Sequence, residues 1–526
     1  MNGRIYDPAN GRNGAAATLC VRDGRVVAES ALDDSALVFD ARGMAVLPGG
    51  VDMHAHIAGP KVSAARRMRP EDHRDAPVRR TAATRSGVMG STPSTFATGY
   101  AYARLGYTTV IDAAVSPLGA RHAHDELADT PIIDKGFLAL LGNNEYVLRC
   151  VRQGEAEKLV HFVAWLLGAV KAYGIKVVNP GGVAVWKDRG GNVAGLDDGA
   201  ALGVTPRQIL LALAQAALDL DLPHPVHVHA NDLGQAGNWT TTLDTMRALE
   251  GRRAHLAHIQ FHSYGGERGG LPASRVADLA GYVNAHPNLS VDVGQVMFGD
   301  TTSMTGDGPV GRYLHQVTRR KWLNADVELE SGCGIVPVAY RRRSHIHATQ
   351  WAIGLQWFLL MEDPWRIALS TDHPNGASFL AYPAIVNLLM DREARREACR
   401  AVNQRALARA HLLDLEREYS LYDIAIVTRA APARLLGLAG KGHLGIGADA
   451  DIAVYDDHGP WDQTFGRPRL VVKGGEIVVR DGEVARDVRG RTFSVEPPWD
   501  RAIEPDIRKW FRDFHTVEFE NYRIDA

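Results

Sequence analysis

Residues Val51–Gly59 read VDMHAHIAG and follow the short apolar run Val46-Leu47-Pro48-Gly49-Gly50. Residues two apart on a β-strand point to the same side. His54 and His56 therefore project together from the carboxyl end of a strand. Two readings are open at this point: a metal clamp, or two ordinary histidines near a strand end. The pair alone does not decide between them.

Outward from this stretch, strand-like and helical runs alternate. Tyr107–Val115 (YTTVIDAAV) is β-rich. Glu155–Tyr173 has helical spacing and stops at Gly174, a common helix terminator, and IKVVN follows at once. Thr205-Pro206 predicts an N-cap followed by proline in the first helical turn. That helix, RQILLALAQAALDL, runs to Pro223 and the strand PVHVHA. RRAHLAHIQF, LSVDVGQVMF and RIALSTD are further strands. Such βα alternation over residues 51–435 predicts a parallel sheet closed as a barrel. An open doubly wound sheet is the alternative, but no G-x-G-x-x-G or G-x-x-x-x-G-K-[ST] loop supports it.

The two ends echo each other. TLCVRDGRVVAES turns at Asp23-Gly24, and LVVKGGEIVVRDGEVARD turns at Gly474-Gly475 and Asp481-Gly482. They predict one small β-sandwich domain with residues 1–50 as its first half and 436–495 as its second. Residues 496–526 form a C-terminal extension. Its aromatic content predicts ordered packing, against the β domain or a partner protein.

Bulk composition excludes several classes. The 526 residues are 45% hydrophobic and 23% charged, with a formal net charge of −2. Nothing global points to nucleic acid or an anionic membrane. No apolar run approaches the roughly 20 residues that span a bilayer. The four cysteines show no C-x-x-C spacing, which fits a reducing cytoplasm. The start, MNGRIYDPANG, lacks a signal-peptide pattern.

Later strands supply partners for the histidine pair. GIKVVNPGG puts Lys176 in an apolar strand, where a bare ammonium needs a partner, a shifted pKa or chemical modification. HVHAND offers His227 and His229. HLAHIQFHSYGG offers His255, His258 and His262. ALSTDHPNG ends an apolar run at Asp372. Each falls at the carboxyl end of a presumed strand, where a barrel builds its active site.

With these residues in order, the chain resembles the amidohydrolase superfamily, whose distorted (β/α)8 TIM-like barrel carries one or two metals. Within it, IKVVNPGG, VHANDLG, HIQFHSYGG, SGCGIVPV, QWAIGL, DPWRIALSTDHPNG and YPAI resemble the A subunits of formylmethanofuran dehydrogenases. The likeness is strongest to the A subunits of bacterial formyltransferase/hydrolase complexes of methylotrophs. It implies that His54, His56, Lys176, His229, His258 and Asp372 are metal ligands. It further implies two zinc ions bridged by an N6-carboxylated Lys176, with Asp372 also the catalytic proton shuttle. The implied substrate is an N-formylated furan-methylamine carrier of the methanofuran or methylofuran type, hydrolysed to formate and free carrier. The implied partners are the other subunits of such a complex, including a formyltransferase.

Asn231, His262 and His373 are candidate substrate contacts. His227 reads as packed inside the barrel below the metals. His255, His345 and His347 read as supporting residues, and Cys333 as a small residue lining a turn. The stretch Lys61–Arg80 carries seven Lys/Arg against three acids and reads as a basic loop. In it, Arg66, Arg67 and Arg69 are candidates for binding an acidic carrier tail, with a solvated surface loop as the alternative. Tyr340–His347 (YRRRSHIH) is a second basic patch. Three other functions remain open. One is a dihydropyrimidinase- or D-aminoacylase-like amidohydrolase. Another is membership of a redox formylmethanofuran dehydrogenase complex. The third is a non-catalytic scaffold for a formyltransferase.

Overall fold

Eight short parallel strands, nearly all buried along their full length, form the centre of the molecule. They are β1 (Gly50–Ala55), β2 (Tyr107–Val115), β3 (Asp134–Leu140), β4 (Gly174–Val178), β5 (Val226–His229), β6 (Ala254–Leu256), β7 (Leu289–Asp292) and β8 (Ile367–Ala368). Each pairs with the next in chain order. A parallel bridge between Ala55 and His373, with the His56 N–H donating to the His373 carbonyl at 2.7 Å, brings the last segment back to the first. The result is a nearly closed TIM-like barrel. Continuous apolar runs such as GIKVV suit it, because a parallel strand is covered on both faces. The computed structural model describes residues 1–31, 37–324 and 334–524; Cys333 lies outside them.

Local sequence sets the connections. The helix Pro206–Asp219 opens with a capping box in which Thr205 and Gln208 satisfy each other's backbone donors. The helix after Glu155 ends at Ala169, short of the expected Tyr173. Lys171 takes the left-handed conformation (φ 51) and the Ala172 N–H returns to the Leu167 carbonyl, which stops the helix before Gly174 is reached. Gly174 instead starts β4.

Both ends of the chain build one seven-stranded sheet, ordered 12–17, 3–7, 44–48, 452–456, 470–473, 476–480 and 483–484. The two-stranded ribbon Cys20–Arg22/Arg25–Val27 lies beside it, with Val21 packed against an apolar cluster that includes Ile5, Val46, Ile452 and Val472. Thr492–Phe493 leaves this sheet and pairs with β3 of the barrel. The C-terminal helix Glu504–Phe514 lies against the barrel rather than the terminal sheet. Phe519 and Tyr522 stack on Trp165, at ring-centroid distances of 5.7 and 6.0 Å. Among the described residues, no helix is long and apolar enough to cross a membrane.

Between β7 and β8 the chain inserts antiparallel strands, Gly299–Thr305, Leu323–Asn324 and Gly334–Tyr340, and a helix, Gly308–Thr318. This insertion roofs the carboxyl end of the barrel.

Candidate metal centre

The carboxyl ends of the strands meet in a cavity of about 170 Å³. Its lining includes all six residues that the sequence singled out as ligands: His54, His56, Lys176, His229, His258 and Asp372. All are buried. Asp372 Oδ1 lies 3.2 Å from His54 Nε2 and 3.0 Å from His56 Nε2. Ligand atoms of His54, His258 and Asp372 all fall within 4.8 Å of one another. His258 and Asp372 sit in the left-handed region (φ 34 and 50), which non-glycine residues rarely adopt. Gly294 makes room for them. A Cβ there would meet the His258 Cβ at 2.5 Å.

Electrostatics set this group apart from an ordinary core. Lys176 Nζ has no hydrogen-bond partner among the described residues. Burial pushes its ammonium down to about 7, against the pull of Asp292 and Asp372. Burial also lowers His229, and His258 far more. Both imidazoles are therefore neutral and able to donate lone pairs. Burial opposes ionisation of Asp372, but the nearby His54 and His258 and hydrogen bonds from His54 and His56 hold its carboxyl well below the usual range. His258 Nδ1 also lacks a hydrogen-bond partner among the described residues. Buried polar atoms normally have partners. Neutral imidazoles, a carboxylate and an orphaned lysine nitrogen converging on one cavity fit a divalent metal site.

A shell of carboxylates holds the donors. Asp292, at the end of β7, accepts at Oδ2 from His54 Nδ1 (2.8 Å) and His255 Nε2 (3.1 Å), and at Oδ1 from the His258 N–H (3.0 Å). His227 lies beneath, its Nε2 3.1 Å from His54 Nδ1, and does not line the cavity. Asp307, from the roof, meets His229 Nε2 at 3.3 Å and accepts from Asn179 Nδ2 at 3.0 Å. Asn375 donates to Asp372 Oδ1 at 3.0 Å and accepts from the Met304 N–H at 2.7 Å, so it ties the carboxylate to the roof.

The remaining expectations fare differently. Asn231 donates to Asn179 Oδ1 (2.7 Å) and the Pro180 carbonyl (3.2 Å), so it braces the turn after β4 instead of facing the cavity. His262 is buried behind His229 and His258, with ring centroids 5.4 and 5.3 Å away. His373 packs its ring on Phe379, 4.8 Å away, and burial holds it down at about 3. None of these three lines the cavity. The basic stretch is helical over Pro60–Met68 and Pro70–Asp75, not a loop. Arg66 is spent internally on Glu126 Oε1 (2.6 Å), the Pro93 carbonyl (2.9 Å) and the Ile57 carbonyl (3.2 Å). Arg69 pairs with Asp72 at 3.3 Å. Arg67 alone of the three is exposed. His347, expected to be only supporting, does line the cavity, as does Lys61.

The family model described as "Amidohydrolase family" matches residues 37–486. The chain belongs to the amidohydrolase family. It is therefore an enzyme of a metal-dependent hydrolase family. This amidohydrolase is 44% identical to Protein FwdA of Methanocaldococcus jannaschii, over 99% of this chain and 96% of the relative. It is 38% identical to the A subunit of the formyltransferase/hydrolase complex Fhc of Methylorubrum extorquens, over 99% and 95%. A crystal structure of the latter organism's FhcABCD complex with methylofuran contains a chain of the same fold. The TM-score is 0.92 at 38% identity, covering 99% of this chain and 96% of that one. N-acyl-D-glutamate deacylase of Bordetella bronchiseptica shares the fold more distantly, with a TM-score of 0.53 at 17% identity, over 94% and 98% of the two chains.

Proposed function

We propose that this amidohydrolase uses two zinc ions to hydrolyse an N-formylated furan-methylamine carrier to formate and the free carrier. The observation that carries the metal assignment is the buried Nζ of Lys176, which has no hydrogen-bond partner among the described residues and stands among the histidines and Asp372. His54, His56, His229, His258 and Asp372 would hold the metals, with Lys176 as the bridge. Its amine, pushed down to about 7, is the form that reacts with carbon dioxide. An N6-carboxylate replaces a buried cation with an anion offering two oxygens, which removes the cost of the orphaned ammonium. When bound, the metal pair supplies Lewis-acid polarisation of an amide carbonyl and acidification of water.

The chain's own groups do the rest. Asp372 takes a proton from the attacking water and returns it to the leaving amine, acting first as base and then as acid. Asn375 fixes the orientation of that carboxylate, and the Ser370 hydroxyl accepts from its backbone N–H at 2.8 Å. The roof between β7 and β8 covers the cavity and limits water.

The carrier and the partners are proposed from the relatives. The Methylorubrum chain works in a formyltransferase/hydrolase complex whose structure holds methylofuran. We assign this chain the same cytoplasmic role in one-carbon oxidation, beside a formyltransferase subunit. The higher identity to FwdA supports a second reading: the same site run towards condensation of formate with the amine, in a redox formylmethanofuran dehydrogenase. The protein with its co-purifying subunits, loaded with zinc in bicarbonate buffer, releases formate and primary amine in equal amounts from the formylated carrier. A chelator abolishes release and zinc restores it. Release that survives complete metal removal would contradict the proposal.

A further inference from the structure

His224, His227 and His255 lie inside the barrel beneath the ligand set, all fully buried and none lining the cavity. Barrel interiors are ordinarily filled by branched apolar side chains. His255 has an evident use: its Nε2 donates to Asp292 at 3.1 Å and its Nδ1 meets the Ser290 hydroxyl at 2.9 Å. His224 and His227 form a line of their own. His224 stands just before β5, and His227 lies within it. The line starts at the carbonyl oxygen of Leu435, the last residue of a helix that follows β8. It runs from that oxygen to His224 Nδ1 (2.8 Å), from His224 Nε2 to His227 Nδ1 (3.0 Å), and from His227 Nε2 to His54 Nδ1 (3.1 Å).

The carbonyl fixes where the protons of this line lie. A carbonyl oxygen only accepts, so His224 carries its proton on Nδ1. Burial holds that ring down at about 3, so it is neutral and its Nε2 is a bare acceptor. His227 therefore donates from Nδ1. Burial keeps this ring neutral as well, so its Nε2 turns a lone pair towards His54 Nδ1. The reverse order fails at both ends. It would set a bare His224 Nδ1 against the Leu435 oxygen. It would also aim a His227 N–H at the N–H of His54, 3.5 Å from an Asp292 Oδ2 that already accepts from His54 and His255.

We propose that His224 and His227 are positioning residues that set the tautomer of His54: anchored on the Leu435 carbonyl, they hold its proton on Nδ1 and leave Nε2 bare for a metal. The inference rests on the proposed role of His54 as a ligand. His54 shares its proton between Asp292 Oδ2 at 2.8 Å and His227 Nε2 at 3.1 Å. A hydrogen bond from the nitrogen that faces away from a metal orients the ring and raises its basicity. Asp292 supplies the charge. The line supplies a second acceptor and keeps His227 from competing for Asp292.

The test uses the full chain with its co-purifying subunits, labelled with ¹⁵N-histidine. NMR reads which ring nitrogens are protonated, each signal assigned from the variant that lacks it, and competition with a chelator reads zinc affinity. In the wild type, His224 and His227 both carry the proton on Nδ1, with and without zinc. His224→Phe removes the anchor and moves the His227 proton to Nε2, where it competes for Asp292. Zinc affinity falls about tenfold. His224→Gln offers an amide N–H to the Leu435 carbonyl and an amide oxygen to His227, and recovers the His227 tautomer and most of the affinity. If His224→Phe fails to fold, His224→Leu carries the same expectation, and the wild-type tautomers are a test by themselves. A wild-type His227 protonated on Nε2 overturns the proposal. So does a folded His224→Phe protein that binds zinc as tightly as the wild type, or a His224→Gln protein that recovers nothing. Zinc that leaves the His54 Nε2 signal of the wild type unmoved counts against His54 as a ligand, and the tautomers of the zinc-free protein still decide the line.

Discussion

His54 Nδ1 lies 2.8 Å from Asp292 Oδ2, both fully buried, so the histidine that opens the metal centre is held by a carboxylate six strands later in the barrel. The same Asp292 side chain also braces His255 and the backbone of His258. Asp292→Asn keeps the volume and removes the anion. Metal affinity falls by roughly 10- to 100-fold, the usual effect of losing such a support, measured by competition with a chelator. Unchanged affinity would show that His54 is held by packing alone.

Lys176 gives the metal-free protein a pH signature. Its ammonium titrates at about 7 when folded, against an ordinary value of 10.5. Between these values the unfolded chain holds a proton that the folded chain has lost, so stability rises with pH across that window. The penalty for burying the charge is fully present below about pH 7. In chelator and carbon-dioxide-free buffer, denaturant midpoints should climb from pH 7 towards 10 in the wild type. They should climb less in Lys176→Met. Equal slopes would mean that Lys176 is not the buried group responsible.

Arg66 joins the first strand's exit to Glu126 and to two backbone carbonyls. Arg66→Ala leaves a mostly buried Glu126 without its main partner and costs about 3 kcal/mol of stability, read as a lowered Tm. Arg67→Ala leaves Tm unchanged. Carriers with short and long acidic tails respond alike to Arg66→Ala. A KM that rises only for long tails would restore the role expected from the sequence.

Asn375 holds Asp372 by one hydrogen bond and the roof by another. Asn375→Ala lowers kcat about tenfold, the value of one hydrogen bond expressed in the transition state. KM and metal content stay near wild type. An effect on KM alone would make Asn375 a substrate contact instead.

Strand-end logic made the barrel and its inner ring legible. VDMHAHIAG, HVHA and ALSTD each place a polar residue at the end of an apolar run, GIKVV places Lys176 within one, and those residues do line one cavity. Asp292 ends LSVD in the same way and was available to the same rule. Asp307 and Asn375 were not, because their roles depend on how the insertion folds back over the barrel, and no local periodicity records that. Lys61 was hidden inside a run of cations whose members go to different places: Arg66 into an internal bridge, Arg67 to solvent, Lys61 to the cavity. Asn231, His262 and His373 share the motifs of the inner ring, yet their side chains turn into the turns and packing that support it.

Formate release by the metal-loaded Asp372→Asn protein tests the central claim most directly. Asp372 is the carboxylate that lies against both first-strand histidines and is held ionised. The account predicts that turnover falls by roughly a thousandfold or more, the scale of a lost general base and acid, while most of the metal stays bound. Turnover close to wild type in a variant with full metal content would contradict it.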